Sequence, residues 1–276
     1  MAKITAADVN KLRKQTGAGM MDCKKALVEA EGDFEKAIEI LRKKGQKVAA
    51  KRGDRDAAEG LAIAASNNGA GAILVLNCET DFVAKNDDFG TLARTILQVG
   101  LDTNAADKAA LEAASFDGNG LSVADKITEQ VGTIGEKIEI SLFERIEAPT
   151  VVAYNHPGNQ VASLVGLSTE GDTAGSAGRD VAMQVAAMAP VGLNQDDVPS
   201  DVVAKEIEIG KELAIQEGKP ADLAEKIAKG KLNKFFKENT LLNQAFIKDN
   251  KKSVSQYLTE QESGLTVTAF KRGSLS

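Results

Sequence analysis

The chain has 276 residues, 43% of them hydrophobic and 27% charged, and it carries a formal net charge of −6 at pH 7. This composition excludes an intrinsically disordered chain, and it predicts more than one folded unit because single cores rarely grow past about 250–300 residues. The chain also lacks an apolar run of the roughly 20 residues that a membrane helix needs, and its acidic balance argues against bulk nucleic-acid binding, which requires clustered Lys and Arg.

The N-terminal segment predicts three short helices. Thr5 is a good N-cap with Asp8 in a capping-box position, and Gly17 ends the first helix. The second helix covers Met20–Ala30 and the third covers Phe34–Lys44, each with apolar residues at helical spacing. These segments predict a small three-helix bundle.

The stretch Lys47–Ala58 is polar and rich in alanine, without a consistent apolar face. It therefore predicts a linker between two folded units. A local group of basic residues overlaps the start of this stretch: Lys43, Lys44, Lys47, Lys51 and Arg52. We interpret this group as a solvated face rather than a nucleic-acid patch, because it is local in an acidic chain.

Beyond the linker, a strand hairpin followed by a helix occurs twice. The first copy consists of Gly60–Ala65, Ala72–Cys78 and the helix Asp87–Leu101. The second copy consists of Val151–Tyr154, Gln160–Leu167 and the helix Gly178–Met188. An amphipathic helix, Leu121–Gly132, and a strand, Lys137–Ile146, lie between the copies. This order predicts two α+β subdomains, each with a small antiparallel sheet covered on one face.

A helical hairpin and a last strand complete the predicted elements. The segment Val202–Lys237 is helical and charged, with an interruption at Gly218-Lys219-Pro220 that must break a helix. Its two arms are expected to pack through a narrow apolar stripe: Val203, Ile207, Leu213, Ala214, Leu223, Ile227, Leu232 and Phe235. The strand Leu265–Arg272 is expected to return to the second sheet.

The predicted fold class is therefore α+β, in three parts. Residues 1–55 form the three-helix bundle and linker, and residues 56–147 form the first core subdomain. Residues 148–276 form the second core subdomain, with the helical hairpin inserted at about 200–240.

The common catalytic motifs are absent from the sequence. It contains no G-x-x-x-x-G-K-[ST] phosphate loop and no G-x-S-x-G nucleophile elbow, and a single histidine, His156, excludes paired-histidine metal sites. Cys23 and Cys78 are expected to be reduced core residues. We therefore expect no enzymatic activity, no cofactor and no metal site, and a protein that acts by binding another protein. The N-terminus lacks a secretory signal pattern, so we expect the cytoplasm.

Two segments are more specific than packing requires. They are Thr16–Leu27, with the sequence TGAGMMDCKKAL, and Asn77–Asn86, with the sequence NCETDFVAKN. Both closely resemble the signature motifs of the elongation factor Ts family, the nucleotide-exchange factors of the GTPase elongation factor Tu. The resemblance extends to the order of the domains and to the Gly-Lys-Pro at the tip of the helical hairpin. It implies a ubiquitin-associated-like fold for the N-terminal bundle.

The resemblance implies a docking surface on this bundle. The positions that would contact the nucleotide-binding domain of the GTPase are Arg13, Met20, Met21 and Lys24. Thioether side chains adapt readily to an apolar partner surface. From the residues alone, either methionine could instead fill the small core of its own bundle.

The second motif implies a wedge. Thr80, Asp81, Phe82 and Val83 match the family loop that intrudes between partner helices near the magnesium and phosphate site. From the residues alone, Asp81 could be an ordinary turn residue and Phe82 a core plug. His156, in the second hairpin turn, matches a position that presses on the phosphate-loop region of the partner. A lone histidine in a turn is otherwise an ordinary surface residue.

The activity that the resemblance implies is that of a translation elongation factor. It would bind elongation factor Tu carrying GDP, displace the magnesium ion and disturb the phosphate loop, so that GDP leaves and GTP can bind. Neither nucleic acid nor membrane would be contacted directly, and both a homodimer and a two-plus-two complex with the GTPase stay open. Some family members continue beyond the position of Arg272 into a C-terminal helical module, and we expect that contact surface to be missing.

Two other interpretations of the sequence compete with this one. A ubiquitin-associated-type adaptor would bind a partner without accelerating GDP release. An enzyme with an unrecognised site is disfavoured because the titratable residues show no convergent cluster.

Overall fold

The structure is a computed structural model that describes residues 4–67, 69–118 and 120–275. The described residues form an α+β fold, as predicted, with small β-sheets and a larger share of helices. By their packing the residues group into two compact units. One unit contains Met1–Ile63, Leu74–Glu144 and Ser274–Ser276, and the other contains Ala64–Ile73 and Arg145–Gly273. The domain boundaries given above remain predictions.

Three helices open the chain at the predicted places: α1 (Ala6–Thr16), α2 (Met20–Glu29) and α3 (Phe34–Arg52). The capping box of Thr5 and Asp8 is formed, and Gly17 ends α1 with a left-handed φ of 70°. A small core lies between the helices: Val9, Leu12, Ala18, Cys23, Ala26, Leu27, Ala30 and Ala37. The predicted three-helix bundle is thus confirmed.

The prediction of a linker from Lys47 is wrong, because α3 continues to Arg52. The reason is a packing contact that leaves no apolar signal in the sequence. Gly45 is buried where α3 crosses a later helix, α7 (Val123–Ile134), at Gly132. A Cβ atom added at Gly132 would lie 2.6 Å from the Cα of Gly45, so the two backbones touch directly.

The first sheet has the strand order β1-β2-β3, with β1 (Glu59–Asn67), β2 (Ala70–Cys78) and β3 (Ile138–Glu147). Three helices lie between β2 and α7 in the chain: α4 (Asp81–Ala84), α5 (Asp87–Asp102) and α6 (Lys108–Ala113). The apolar residues that recur at helical spacing along α5 are all buried: Phe89, Leu92, Ile96 and Leu97.

The second sheet has the order β4-β5-β8, with β4 (Thr150–Asn155), β5 (Val161–Leu167) and β8 (Val267–Ser274). The helix that covers it, α8 (Asp172–Met188), begins earlier than predicted. Gly178, the predicted first residue of this helix, lies inside it. A Cβ atom at Gly178 would lie 2.7 Å from Cγ2 of Val152, so this glycine lets the helix approach the sheet closely.

The helical hairpin consists of α9 (Ser200–Gln216) and α10 (Ala221–Asn239). The predicted apolar stripe is wrong in part, because Leu213 and Leu223 are exposed. The buried seam between the arms is made of small residues instead: Gly210, Ala214, Ala224 and Ala228. Small side chains let the two backbones come close, since a Cβ atom at Gly210 would lie 3.0 Å from the Cα of Ala228.

Residues 240–264 form elements that are not among those predicted from the sequence. A two-stranded sheet, β6 (Ala245–Phe246) with β7 (Asp249–Ser253), precedes the helix α11 (Val254–Gln261). The ring of Phe246 stacks on that of Tyr257 with centroids 4.0 Å apart. None of the described helices is long and apolar enough to cross a membrane.

Candidate functional site

The motif Thr80–Val83 forms a single helical turn directly after β2. Thr80 is the N-cap of α4, and its side chain accepts a hydrogen bond from the backbone N–H of Val83 at 3.4 Å. The Phe82 side chain projects from this turn and is 83% exposed. Phe82 is therefore not a core plug, and its ring is available for contact with another molecule.

The backbone in front of this turn is held by Glu136. Its carboxylate accepts hydrogen bonds from the backbone N–H of Glu79 at 3.2 Å, the backbone N–H of Thr80 at 3.0 Å and the Thr80 hydroxyl at 2.7 Å. Glu136 follows Gly135, which ends α7 with a left-handed φ of 82°. The turn at Gly135 therefore places the carboxylate beside the end of β2.

The Glu79 carboxylate completes this cluster from the other side. It accepts hydrogen bonds from the Arg52 guanidinium at 2.8 and 3.0 Å, from Arg55 at 3.2 Å and from the backbone N–H of Lys137 at 2.6 Å. Burial alone would raise the pKa of Glu79, but the bonds from Lys137, Arg52 and Arg55 outweigh it and hold the pKa below its ordinary value. The end of α3 is thus tied to the end of β2.

Asp81 lies on the same turn and forms an ion pair with Lys85 at 2.7 Å. The hydrogen bond from Lys85 holds the pKa of Asp81 below its ordinary value, so the carboxylate stays charged. Both side chains face solvent, and an exposed pair of this kind contributes little to stability. Asp81 is therefore free to interact with a partner.

Cys78 lies beneath the turn and donates its thiol hydrogen to the Thr80 carbonyl at 3.2 Å. Burial raises the pKa of this thiol to about 12. The sulfur is therefore protonated at neutral pH and is a poor nucleophile. Both Cys78 and Cys23 are buried and free of disulfides, as predicted.

The second exposed apolar surface lies at the start of α2. Met20 and Met21 are 53% and 63% exposed, so neither fills the core of the bundle. Arg13, near the end of α1, and Lys24, in the next turn of α2, are also exposed. We call these four residues the methionine surface. It combines adaptable thioethers with cations at its margin.

Val28 extends the methionine surface and was not among the predicted residues. It is 58% exposed and lies on α2 seven positions after Met21, which places the two on one helical face. This exposed position could have been predicted from the sequence, because an apolar residue seven positions after Met21 lies on the same helical face.

His156 lies in the second compact unit, in the turn after β4. Its side chain is exposed, and its Nδ1 is 3.0 Å from the Tyr154 hydroxyl. The neighbouring Asn155 anchors the turn, since its amide accepts from the Ala64 N–H at 2.7 Å and donates to the Ala64 carbonyl at 3.0 Å. The turn is therefore ordered, with the imidazole presented to solvent.

The predicted site residues accordingly fall into three places: the wedge turn of residues 80–83, the methionine surface and the turn of His156. The first two belong to one compact unit and the third to the other. Among the described residues, no group of three or more His, Cys, Asp or Glu side chains is placed to hold a metal ion.

Comparison with known proteins assigns the family. The family model described as Elongation factor TS matches residues 79–275. The chain is 57% identical over 277 residues to Elongation factor Ts of Christiangramia forsetii, with all of both chains covered. It is 53% identical to Elongation factor Ts of Flavobacterium psychrophilum, again over both full lengths, and 54% identical to that of Amoebophilus asiaticus over 98% of each chain. The chain therefore belongs to the elongation factor Ts family.

Proposed function

We propose that this protein binds the GTPase elongation factor Tu in its GDP-bound form and accelerates the release of GDP, as a factor of translation elongation. The observation that carries the proposal is the exposed Phe82 ring on a turn whose preceding backbone is held by the Glu136 carboxylate. An apolar group fixed in water gains most when it is buried in a partner, because the cost of ordering it has already been met.

The proposed mechanism is displacement rather than covalent chemistry. Phe82 enters between helices of the GTPase and Asp81 disturbs the magnesium site, so that the phosphate loop binds GDP less tightly. Binding of the factor and binding of GDP then weaken each other by the same factor at equilibrium, as linkage requires. Incoming GTP completes the cycle by releasing the factor.

The methionine surface and the turn of His156 would dock on the GTPase. The methionine surface, with Arg13 and Lys24 at its margin, would contact the nucleotide-binding domain, and His156 would press on the phosphate-loop region. Neither nucleic acid nor membrane takes part in this scheme. The protein would act in the cytoplasm, as a monomer, a homodimer or a two-plus-two complex with the GTPase.

Stopped-flow release of a fluorescent GDP analogue from elongation factor Tu tests the proposal, with binding measured in parallel by titration calorimetry. We expect the wild-type chain to bind and to accelerate release, and Phe82→Ala to lose most of the acceleration. Ile215→Ala is the matched control, because Ile215 is an exposed apolar residue of the hairpin outside the site. Binding without acceleration by the wild-type chain would contradict the proposal and support an adaptor.

A further inference from the structure

Residues 79–80 and residues 136–137 hold each other through a reciprocal pair of carboxylates. Glu136 accepts from the backbone N–H groups of Glu79 and Thr80, while Glu79 accepts from the backbone N–H of Lys137. Each carboxylate therefore binds the backbone next to the other. We call this arrangement the carboxylate clamp.

We propose that Glu136 is a positioning residue for nucleotide exchange, which fixes the direction in which Phe82 points by holding the backbone of residues 79–80. This inference rests on the proposed function, because it assigns a task to Phe82. Glu136 lies outside the signature motif, and nothing in its sequence context marks it.

The wedge turn depends on an anchor of this kind. The helix α4 has four residues, and a single helical turn has little stability of its own because nucleation is unfavourable. Its N-cap is Thr80, whose hydroxyl donates to Glu136 and accepts from Val83, and whose carbonyl accepts from the Cys78 thiol. The contact between Thr80 and Glu136 therefore fixes the start of the turn.

The clamp is stronger with a carboxylate than with an amide. A carboxylate has two oxygens that accept hydrogen bonds, whereas glutamine offers one oxygen and turns two donors toward its neighbours. At position 136, one oxygen binds two backbone N–H groups and the other binds the Thr80 hydroxyl. Glutamine has the same shape, but it can pair with all three groups only if its NH2 donates to the Thr80 hydroxyl, and its neutral oxygen accepts more weakly from the two backbone N–H groups than a carboxylate does.

The surrounding charges allow two carboxylates to lie near one another. Arg52 and Arg55 both bind Glu79, which is 12% exposed, and so neutralise the charge on that side of the clamp. The Glu136 carboxylate is then available to accept hydrogen bonds from the backbone N–H groups of residues 79–80. The arginines stabilise the clamp, and Glu136 makes the contacts that reach the wedge turn.

The primary test compares Glu136→Gln with Glu139→Gln in the full chain. Glu139 gives a matched control, because it undergoes the same change of charge nearby but contacts Lys137 at 3.1 Å rather than the wedge turn. We expect Glu136→Gln to lower the maximal rate of stimulated GDP release about tenfold, as misplacement of a working group by a fraction of an ångström does. The half-saturating concentration should change little, because the methionine surface is untouched.

A double variant separates positioning from general destabilisation. If Glu136 acts through Phe82, then Glu136→Gln with Phe82→Ala should be no slower than Phe82→Ala alone. Hydrogen exchange should also show faster exchange of the Glu79 and Thr80 amides in Glu136→Gln. A wild-type maximal rate in Glu136→Gln, or a further slowing in the double variant, would overturn the inference.

Glu136→Asp keeps the inference testable if Glu136→Gln does not fold, because aspartate retains the carboxylate on a side chain that is one methylene shorter. The shorter side chain draws the oxygens away from the backbone N–H groups of Glu79 and Thr80, so a reduced maximal rate is expected. A wild-type maximal rate in Glu136→Asp would contradict the clamp. If the wild-type chain binds the GTPase without accelerating GDP release, the proposed function fails. If Phe82→Ala slows release and Glu136→Gln does not, only the present inference fails.

Discussion

Replacing Gly132 by alanine tests whether α3 and α7 cross in direct backbone contact. The added Cβ atom would lie 2.6 Å from the Cα of Gly45 and 3.4 Å from its backbone nitrogen. Carbon atoms in van der Waals contact are about 3.5–4.0 Å apart, so the helices would have to separate by about 1 Å or tilt. Overpacking of this kind costs about 1–3 kcal/mol in the free energy of unfolding.

Gly230 supplies the matched control. It lies in the middle of α10, and a Cβ atom there would meet nothing within 4 Å. Alanine in place of an exposed helical glycine gains about 0.5–1 kcal/mol, and this gain is common to both variants. Gly132→Ala should therefore be less stable than Gly230→Ala by the overpacking cost of about 1–3 kcal/mol.

Urea unfolding followed by circular dichroism measures this difference, since the chain contains no tryptophan to report by fluorescence. We expect the midpoint of Gly230→Ala to rise above that of the wild type and the midpoint of Gly132→Ala to fall below that of Gly230→Ala. If the two variants unfold with free energies within about 0.5 kcal/mol of each other, the close crossing of α3 and α7 is refuted.

Three further predictions concern the site. Phe82→Ala should change the free energy of unfolding by less than about 0.5 kcal/mol while removing most of the stimulated GDP release, whereas a core phenylalanine would cost about 3–5 kcal/mol. Met20→Ala with Met21→Ala should raise the half-saturating concentration for exchange roughly tenfold without lowering the unfolding midpoint, and an unchanged concentration would remove the methionine surface from docking. The lowered pKa of Glu79 stabilises the fold above the unfolded-state pKa, and this stability is lost as pH falls through the folded pKa. Acid titration of unfolding should therefore show a shallower loss of stability below about pH 4.3 in Glu79→Gln than in the wild type.

The elements that could be predicted are those whose signals are local. Thr5 with Asp8 predicts a helix start because the cap is made within one turn, and Gly17 predicts its end. The inward face of α5 follows from helical spacing, and its residues are buried. The exposure of Phe82 could not be predicted in this way, since the residues alone favoured a core plug.

The elements that were missed are held by contacts that leave no local pattern. Gly45, Gly210 and Gly178 pack without side chains, so the extension of α3, the seam of the hairpin and the start of α8 carried no apolar signal. The strand β7 reads DNKKS and gives no alternation of apolar residues. The carboxylate clamp joins residues 56 to 58 positions apart, which only the fold brings together.

The helix α3 is held at two points along its length, and these contacts fix the direction of the helix. Near its middle Gly45 touches Gly132, and at its end Arg52 binds Glu79. A helix held at one point can pivot, whereas a helix held at two points has a fixed direction. The bundle that carries the methionine surface is therefore fixed against the rest of the compact unit that also carries Phe82, and such a connection lowers the entropy cost of making both contacts at once. Residues 1–55 are then no detachable module, because their loss would uncover Gly132 and leave Glu79 without its arginines.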